Sequence, residues 1–389
     1  MTMRVCPCCQ SVRQERLHEQ KFAAGALGTG YNVATCCDCG MGFADPVPSL
    51  ETLSEYYRLS AKYAIAGSDE KYETTRFETT VDSLIGFVPL NARILDVGCG
   101  AGGLLGALKR RGFIDVQGID PSPWNAKVAQ EKHGVHVAVG SLCDMAREEL
   151  QYDLITLVGV LEHLVDVRES LRTLAHGLTK EGVLYVAVPN ANKFADCANA
   201  PFQQFSLEHV NFFTPSTLSA CALAAGLHCA HAWDFVVEWR QRVTEPVAAQ
   251  LFTIGQPGET RYSGETKVAL SRYVEVSRNQ DARAKEKLET LAAKGDPVMV
   301  WGVGALTRRL LAESALGRCN ITRFIDQDPT LIGKSLAGRQ IVSPYELARY
   351  REPILVCSVA FEAEIIARIR ELGLFNHYTT LYTLSATLG

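Results

Sequence analysis

Residues 93–102 read RILDVGCGAG. The stretch opens as an apolar strand carrying one acid, Asp96, and glycines follow at 98, 100 and 102. Glycine in such a turn lets the backbone come close to a ligand. LLGALKRRG continues with helical spacing, so the segment reads as strand, turn and helix. Many nucleotide-binding folds share such a turn, and the flanking sequence has to decide between them. VQGID is a second strand ending at Asp120. An acid roughly twenty residues beyond the glycines can accept both hydroxyls of a ribose. VHVAVG leads into Ser141 and Leu142, YDLITLVGVLEHLVD supplies a fourth strand, and GVLYVAVPN a fifth. Strands alternating with helical stretches predict a doubly wound α/β sheet.

A length of 389 residues predicts two to three domains, and 47% hydrophobic residues are enough for large cores. The formal charge is −4 with no basic tail, which argues against a nucleic-acid partner. MTMRVCPCC has no apolar run of signal-peptide length, and LITLVGVL is too short to cross a bilayer. We therefore expect a cytoplasmic chain whose partner is a small molecule, with no nucleic acid and no membrane. Of 13 cysteines, six lie in the first 39 residues. Clustering of this kind in an intracellular enzyme argues for metal rather than a disulfide scaffold, free thiols being the bland alternative. The pairs are Cys6-x-x-Cys9 and Cys36-x-x-Cys39, the second followed by Gly40. Two residues between ligands let one tight turn aim both thiolates at one ion. Four thiolates make a closed tetrahedral Zn²⁺ site, which is structural rather than catalytic. Cys8 and Cys37 stand beside these pairs as possible replacement ligands.

Beyond the cysteines, Asp45-Pro46 and Pro48 mark a turn, and Ser49 is placed to cap a helix. Tyr56, Tyr57 and Tyr63 fall on that helix. Tyr56 and Tyr63 are expected to line a substrate pocket, with simple packing as the other reading. Further on, SLEHVNFF (206–213) sets Glu208 beside His209. Thr214-Pro215-Ser216 reads as a helix start, and that helix runs to Gly226. The Glu-His pair therefore sits in a loop or short strand beyond the fifth strand, where doubly wound sheets keep their ligand crevice. An imidazole there can take a proton from a hydroxyl or from a carbon next to a ketone. His209 is read as the base and Glu208 as its support, the alternative being a polar corner of the loop. Residues 264–294 are charged and helical in pattern, and Gly295 and Pro297 end them. PVMVWGVGALTRRLLAE then starts a second strand-turn-helix, with Gly302 and Gly304 in the turn and Thr307 at a third-glycine position. A following strand ends at Asp326. Gly302, Gly304 and Asp326 are candidate substrate contacts, with Arg308 and Arg309 adding charge toward a diphosphate. A purely structural cap is the bland reading of this unit. The expected organisation is a zinc-binding module at 1–50, a Rossmann-like core at 51–240, a helical linker at 241–295 and a smaller Rossmann-like domain at 296–389.

The motifs LDVGCGAG, GIDPS, VLEHLVD and VAVPN resemble those of the class I S-adenosylmethionine-dependent methyltransferases over about residues 80–190. The resemblance implies that Asp96, Gly98 and Gly100 hold the methionine part of S-adenosylmethionine. It places the ribose on Asp120 and the adenine on Ser141 and Leu142. It also implies that Glu162-His163 forms mainly cofactor-pocket wall, with a catalytic part as the lesser possibility. An NAD-binding unit is the rival, and the whole motif set favours the methyltransferase. The order of cysteine pairs, methyltransferase core, Glu-His segment and a further α/β unit resembles the zinc-containing nucleotide-sugar C-methyltransferases. That resemblance implies a nucleotide-linked keto-deoxysugar as acceptor and a last domain that helps hold its nucleotide. The acid-base segment of that family usually reads Tyr-His-Glu-His, whereas Ser206-Leu207-Glu208-His209 stands here. This departure brings in O-methylation of another small polar metabolite. A non-catalytic regulator that binds S-adenosylmethionine or a nucleotide is a further alternative. An RNA methyltransferase is weighed down by the acidic balance.

Overall fold

The computed structural model of the chain describes residues 3–59, 70–145, 151–197, 199–240 and 243–382. Two compact units emerge. The first comprises Met1–Leu17, Asn32–Cys197 and Glu208–Leu270; the second comprises His18–Tyr31, Ala198–Leu207 and Ser271–Gly389.

In the first part of the chain the strands are β1 (Gln14–Gly25), β2 (Gly28–Cys36), β3 (Gly42–Asp45), β4 (Arg93–Val97), β5 (Asp115–Asp120), β6 (His136–Val139), β7 (Tyr152–Val158), β8 (Leu178–Pro189), β9 (Asn211–Phe212), β10 (Leu227–Arg240) and β11 (Val243–Ile254). The main sheet has the order β10-β11-β8-β7-β4-β5-β6. Strands β4 to β8 pair in parallel, while β11 runs antiparallel to β8 and to β10. A strand covered on both faces is apolar over most of its length, and β4 is buried along almost its whole length, with Asp96 as its one buried acid. Successive residues supply opposite layers. Leu95, Val97, Ile155, Leu157, Leu184 and Val186 enter one core, and Ile94, Leu154, Val183 and Tyr185 the other. The strand alternation predicted from the sequence is therefore the observed doubly wound sheet.

Two sequence expectations are corrected here. The segment assigned to a helical linker at 241–295 contains β11, paired from Val243 to Ile254 with β10 and from Val247 to Thr253 with β8. The helix begins at Glu265 and runs to Lys294. The strand was obscured because VTEPVAAQLFTI is a nearly continuous apolar run, which periodicity cannot assign to helix or strand, and it contains Pro246. The cysteine-rich start is likewise not a compact unit of its own. Cys6, Cys8, Cys36, Cys39, Met41 and Phe43 belong to the same core layer as Leu218 and Cys221. About fifty residues bury too little surface to stand alone, and packing on the larger sheet answers that.

The second unit holds β12 (Val298–Trp301), β13 (Ile321–Ile325), β14 (Ser335–Leu336), β15 (Arg339–Val342), β16 (Ile354–Val356) and β17 (Tyr378–Thr380), in the order β14-β15-β13-β12-β16-β17. All pairs except β14 with β15 are parallel. Val298 and Val300 face one core, Met299 and Trp301 the other. Among the described residues no helix is long and apolar enough to cross a membrane.

Candidate functional site

The acids and glycines singled out in the sequence meet at the carboxyl ends of β4 and β5. Gly98 N–H donates to Ile119 O at 2.8 Å, and Gly100 N–H donates to Asp120 Oδ2 at 2.9 Å. Asp120 Oδ1 accepts from Ser122 N–H at 2.9 Å and from Asn125 Nδ2 at 3.0 Å. The acid ending β5 thus holds the glycine turn in shape. Gly98 has a φ of 70°, and a Cβ there would lie 2.6 Å from Val160 Cγ2, so no other residue fits. Asp96 is buried and accepts a hydrogen bond from Thr156 Oγ1 at 2.7 Å. Burial pushes its carboxyl up to about 7; the Thr156 hydroxyl pulls against this, and the charge of Asp120 adds to it. Among the described residues no cation faces Asp96 or Asp120. Two buried acids on adjacent strands, without a positive partner, suit a ligand that brings its own positive charge. Ser141 is exposed, and its N–H and hydroxyl both donate to Asp144 Oδ2; Leu142 is half-buried. Thr156, Ser122 and Asn125 were not found from the sequence, because ordinary polar residues on strands and caps carry no local signal.

The Glu-His segment lies in a loop just ahead of β9, as its position predicted. The structure brings a second Glu-His pair to it from the end of β7. A carboxylate oxygen of Glu162, a ring nitrogen of His163 and a ring nitrogen of His209 lie within 4.8 Å of one another. The two imidazoles cross edge to face with centroids 5.0 Å apart. His163 Nδ1 bonds the carbonyl of Glu208 at 2.9 Å, and its Nε2 lies 3.8 Å from Glu162 Oε1. Glu208 turns its carboxylate the other way, where Oε1 accepts from the Tyr56 hydroxyl at 2.7 Å. Tyr57 stands edge-on to His163 at 5.9 Å. The segment itself has no tyrosine, yet one arrives from the helix Leu50–Leu59. Tyr63 lies outside the described residues.

Both loops are clamped by residues the sequence reading passed over. Asn211 Nδ2 donates to Leu161 O at 3.0 Å and Leu164 O at 2.7 Å, and Val210 N–H donates to Glu162 O at 2.9 Å. Arg4 donates to Val165 O at 2.6 Å, Val210 O at 2.7 Å and Asn211 Oδ1 at 2.8 Å. β9 also pairs antiparallel with β3, so the histidine loop is tied to the strand that follows the second cysteine pair.

Cys6, Cys9, Cys36 and Cys39 bring their four Sγ atoms within 4.8 Å of one another, with Cys6–Cys39 and Cys9–Cys36 each at 3.5 Å. A tetrahedral Zn²⁺ with bonds of about 2.3 Å to each thiolate asks for this spacing. Gly40, with φ 82°, passes so near the Ser263 backbone that a Cβ would sit 1.9 Å from its carbonyl oxygen. Cys8 is buried beside the four, Cys37 is exposed, and neither belongs to the group.

In the second unit, Gly302 (φ 102°) and Gly304 precede the helix Ala305–Glu313. Val303 N–H donates to Asp326 Oδ2 at 2.9 Å, and Asp328 N–H donates to Oδ1 at 3.0 Å. Thr307 fills the third-glycine place by donating its hydroxyl to Gly302 O at 2.6 Å. The two arginines expected to meet a diphosphate are used elsewhere. Arg309 is buried against Asp281 through bonds of 2.5 and 2.8 Å, and Arg308 donates to Ala24 O at 3.0 Å. A buried bidentate pair of this kind is a structural commitment, since removing one partner strands the other charge.

A family model described as "Methyltransferase domain" matches residues 70–232, and one described as "C2185-like, N-terminal" matches 295–378. The ubiquinone biosynthesis O-methyltransferase of Azorhizobium caulinodans is 28% identical over 183 residues, 42% of this chain and 71% of that protein. That of Xanthomonas axonopodis pv. citri is 31% identical over 169 residues, 40% of this chain and 70% of that protein. Among solved structures, the magnesium protoporphyrin IX methyltransferase of Synechocystis PCC 6803 with bound S-adenosylmethionine matches 52% of this chain and 95% of its own at 15% identity, with a TM-score of 0.38.

Proposed function

Because this chain belongs to the class I S-adenosylmethionine-dependent methyltransferases, we propose that it methylates an oxygen of a small polar acceptor, with His209 as general base. The observation that carries the acceptor atom is the likeness, over 70% of its length, to a protein named an O-methyltransferase. When bound, S-adenosylmethionine supplies a methyl on a positive sulfur; the new bond forms to the acceptor oxygen, and the carbon–sulfur electron pair stays on sulfur. The chain's own residues hold the parts. Asp96, Gly98 and Gly100 receive the methionine end, Asp120 the ribose, and Ser141 with Leu142 the adenine edge. Glu162 closes the wall beside the methyl. His209 takes the hydroxyl proton as the oxygen loses it, and Tyr56, through Glu208, keeps the loop in register. Cys6, Cys9, Cys36 and Cys39 hold a structural zinc.

A second reading, a nucleotide-linked sugar as acceptor, is favoured by the turn of the second unit. Asp326 there accepts from Val303 and Asp328 in the manner that Asp120 accepts from Gly100 and Ser122. Gly302, Gly304 and Asp326 would then meet the nucleotide. The two readings separate in a transfer assay with radiolabelled S-adenosylmethionine over hydroxylated aromatics, free sugars and nucleotide-linked keto-sugars. Methyl ethers of the first two classes are expected. Turnover confined to nucleotide-linked sugars would move the assignment to the second reading.

The buried acids give a further expectation. A positive ligand favours ionised Asp96, so binding releases a proton wherever Asp96 is still protonated. With its carboxyl at about 7, affinity rises through neutral pH and levels off above it. Between pH 6 and pH 8 the Kd for S-adenosylmethionine should fall about tenfold. Titration calorimetry across that range tests this. Asp96→Asn should bind more weakly and lose the pH dependence that belongs to Asp96, and an Asn variant with the wild-type slope would refute the assignment.

A further inference from the structure

Of the four clustered cysteines, Cys6, Cys36 and Cys39 are buried and Cys9 is half-buried. A cavity of about 320 Å³ lies against Cys9, and its wall includes Arg168, Glu259 and Thr260. Arg168 reaches this wall from the second position of the helix Val167–His176. Its backbone N–H donates to Pro7 O at 3.2 Å, inside the first cysteine pair. Its Nε is buried and has no hydrogen-bond partner among the described residues. A buried guanidinium nitrogen without an acceptor is costly. On the other side of the ledge, four thiolates carry more negative charge than one Zn²⁺ cancels, and hydrogen bonds from neighbouring donors steady such ligands. Arg4, two residues before Cys6, has both terminal nitrogens committed to Val165 O, Val210 O and Asn211 Oδ1, and it lies outside the cavity wall. We propose that Arg168 is the cation that serves the zinc centre, bringing charge and an N–H donor to the Cys9 thiolate when the ion is bound. Arg168 does not ligate the ion. It steadies the one cysteine that the cavity reaches, and it joins the metal to the helix that follows the Glu162–His163 turn.

The proposal rests on the chain holding zinc, and the experiment keeps the two apart. Metal analysis comes first: a wild-type chain without zinc would overturn the metal assignment itself. Competition with a chromophoric chelator should then show zinc bound about 10–100-fold more weakly in Arg168→Gln. Arg168→Lys keeps the charge without the planar fork, so its affinity should fall between the two. In the Co²⁺-substituted protein, losing the donor leaves the Cys9 sulfur richer in electrons. The sulfur-to-cobalt charge-transfer band of Arg168→Gln should therefore move to longer wavelength. With zinc in excess, iodoacetamide should alkylate Cys9 of this variant faster than in the wild type, and ahead of Cys6, Cys36 and Cys39, because a thiolate without its donor is the better nucleophile. Peptide mass spectrometry maps the site. An arginine that only packs would move neither the band nor the order of alkylation. Zinc-bearing Arg168→Gln with wild-type affinity and an unmoved band would overturn the proposal while leaving the zinc assignment intact. An equal loss of affinity in Glu259→Gln would overturn it too, because the arginine would then serve that acid. If Arg168→Gln fails to fold, the Lys variant decides, and wild-type affinity there would contradict the proposal.

Discussion

Stripping the metal from the purified chain, or replacing Cys39 with serine, is expected to cost both stability and turnover. Metal analysis of the untreated protein should give about one zinc per chain, since four thiolates close one tetrahedron. Without the ion, four thiols are left crowded within 4.8 Å in a buried layer. A loss of several kcal/mol, at roughly 2–4 °C per kcal/mol for a domain this large, lowers the thermal midpoint by about 10 °C. Turnover falls for a separate geometric reason. Arg4 stands two residues before Cys6, and its guanidinium holds Val165 O, Val210 O and Asn211 Oδ1. β3, which follows the second cysteine pair, holds β9. Both histidine loops therefore lean on the cysteine-bearing segment. A metal-free chain with an unchanged midpoint would refute the zinc assignment. A lower midpoint with full kcat at a temperature where the protein stays folded would refute the coupling to the histidine loops.

His209→Ala should lower kcat by about 10²–10⁴-fold while the Kd for the demethylated cofactor stays within about twofold. The separation is expected because, Glu162 apart, the residues proposed for the cofactor lie at or just beyond the ends of β4, β5 and β6, whereas His209 sits on the loop before β9. Glu208→Gln should do less harm, since its carbonyl, which accepts from His163, is retained. Near wild-type turnover in His209→Ala would remove it as the base. Equal losses in kcat and in cofactor affinity would make it a binding residue.

Much of this architecture was legible in ten residues. RILDVGCGAG carries a strand buried on both faces, an acid and a turn that only glycine can make at position 98, and each is a local property. The helix start at Thr214-Pro215 was equally local and is found there, and the four paired cysteines bring their sulfurs within 4.8 Å of one another. What could not be read was long-range. His163 and His209 are brought together by bonds between segments far apart in the chain, Val210 N–H to Glu162 O and Asn211 Nδ2 to Leu161 O and Leu164 O. In the sequence they belong to two unrelated Glu-His pairs. The tyrosine missing from the 206–209 segment returns as Tyr56, more than a hundred residues upstream. Arg309 looks like a surface cation until Asp281 is found across the second unit's core. β11 was hidden because VTEPVAAQLFTI, mostly apolar with Thr244, Glu245, Gln250 and Thr253 irregularly placed, has no clear period to read.

The destination of the methyl group tests the account most directly. With ¹³C-methyl S-adenosylmethionine and a turned-over acceptor, the product's carbon spectrum reports which atom received it. A signal in the methoxy region, lost in His209→Ala, is the predicted result. A label on carbon, or transfer to oxygen that is indifferent to His209, would contradict it.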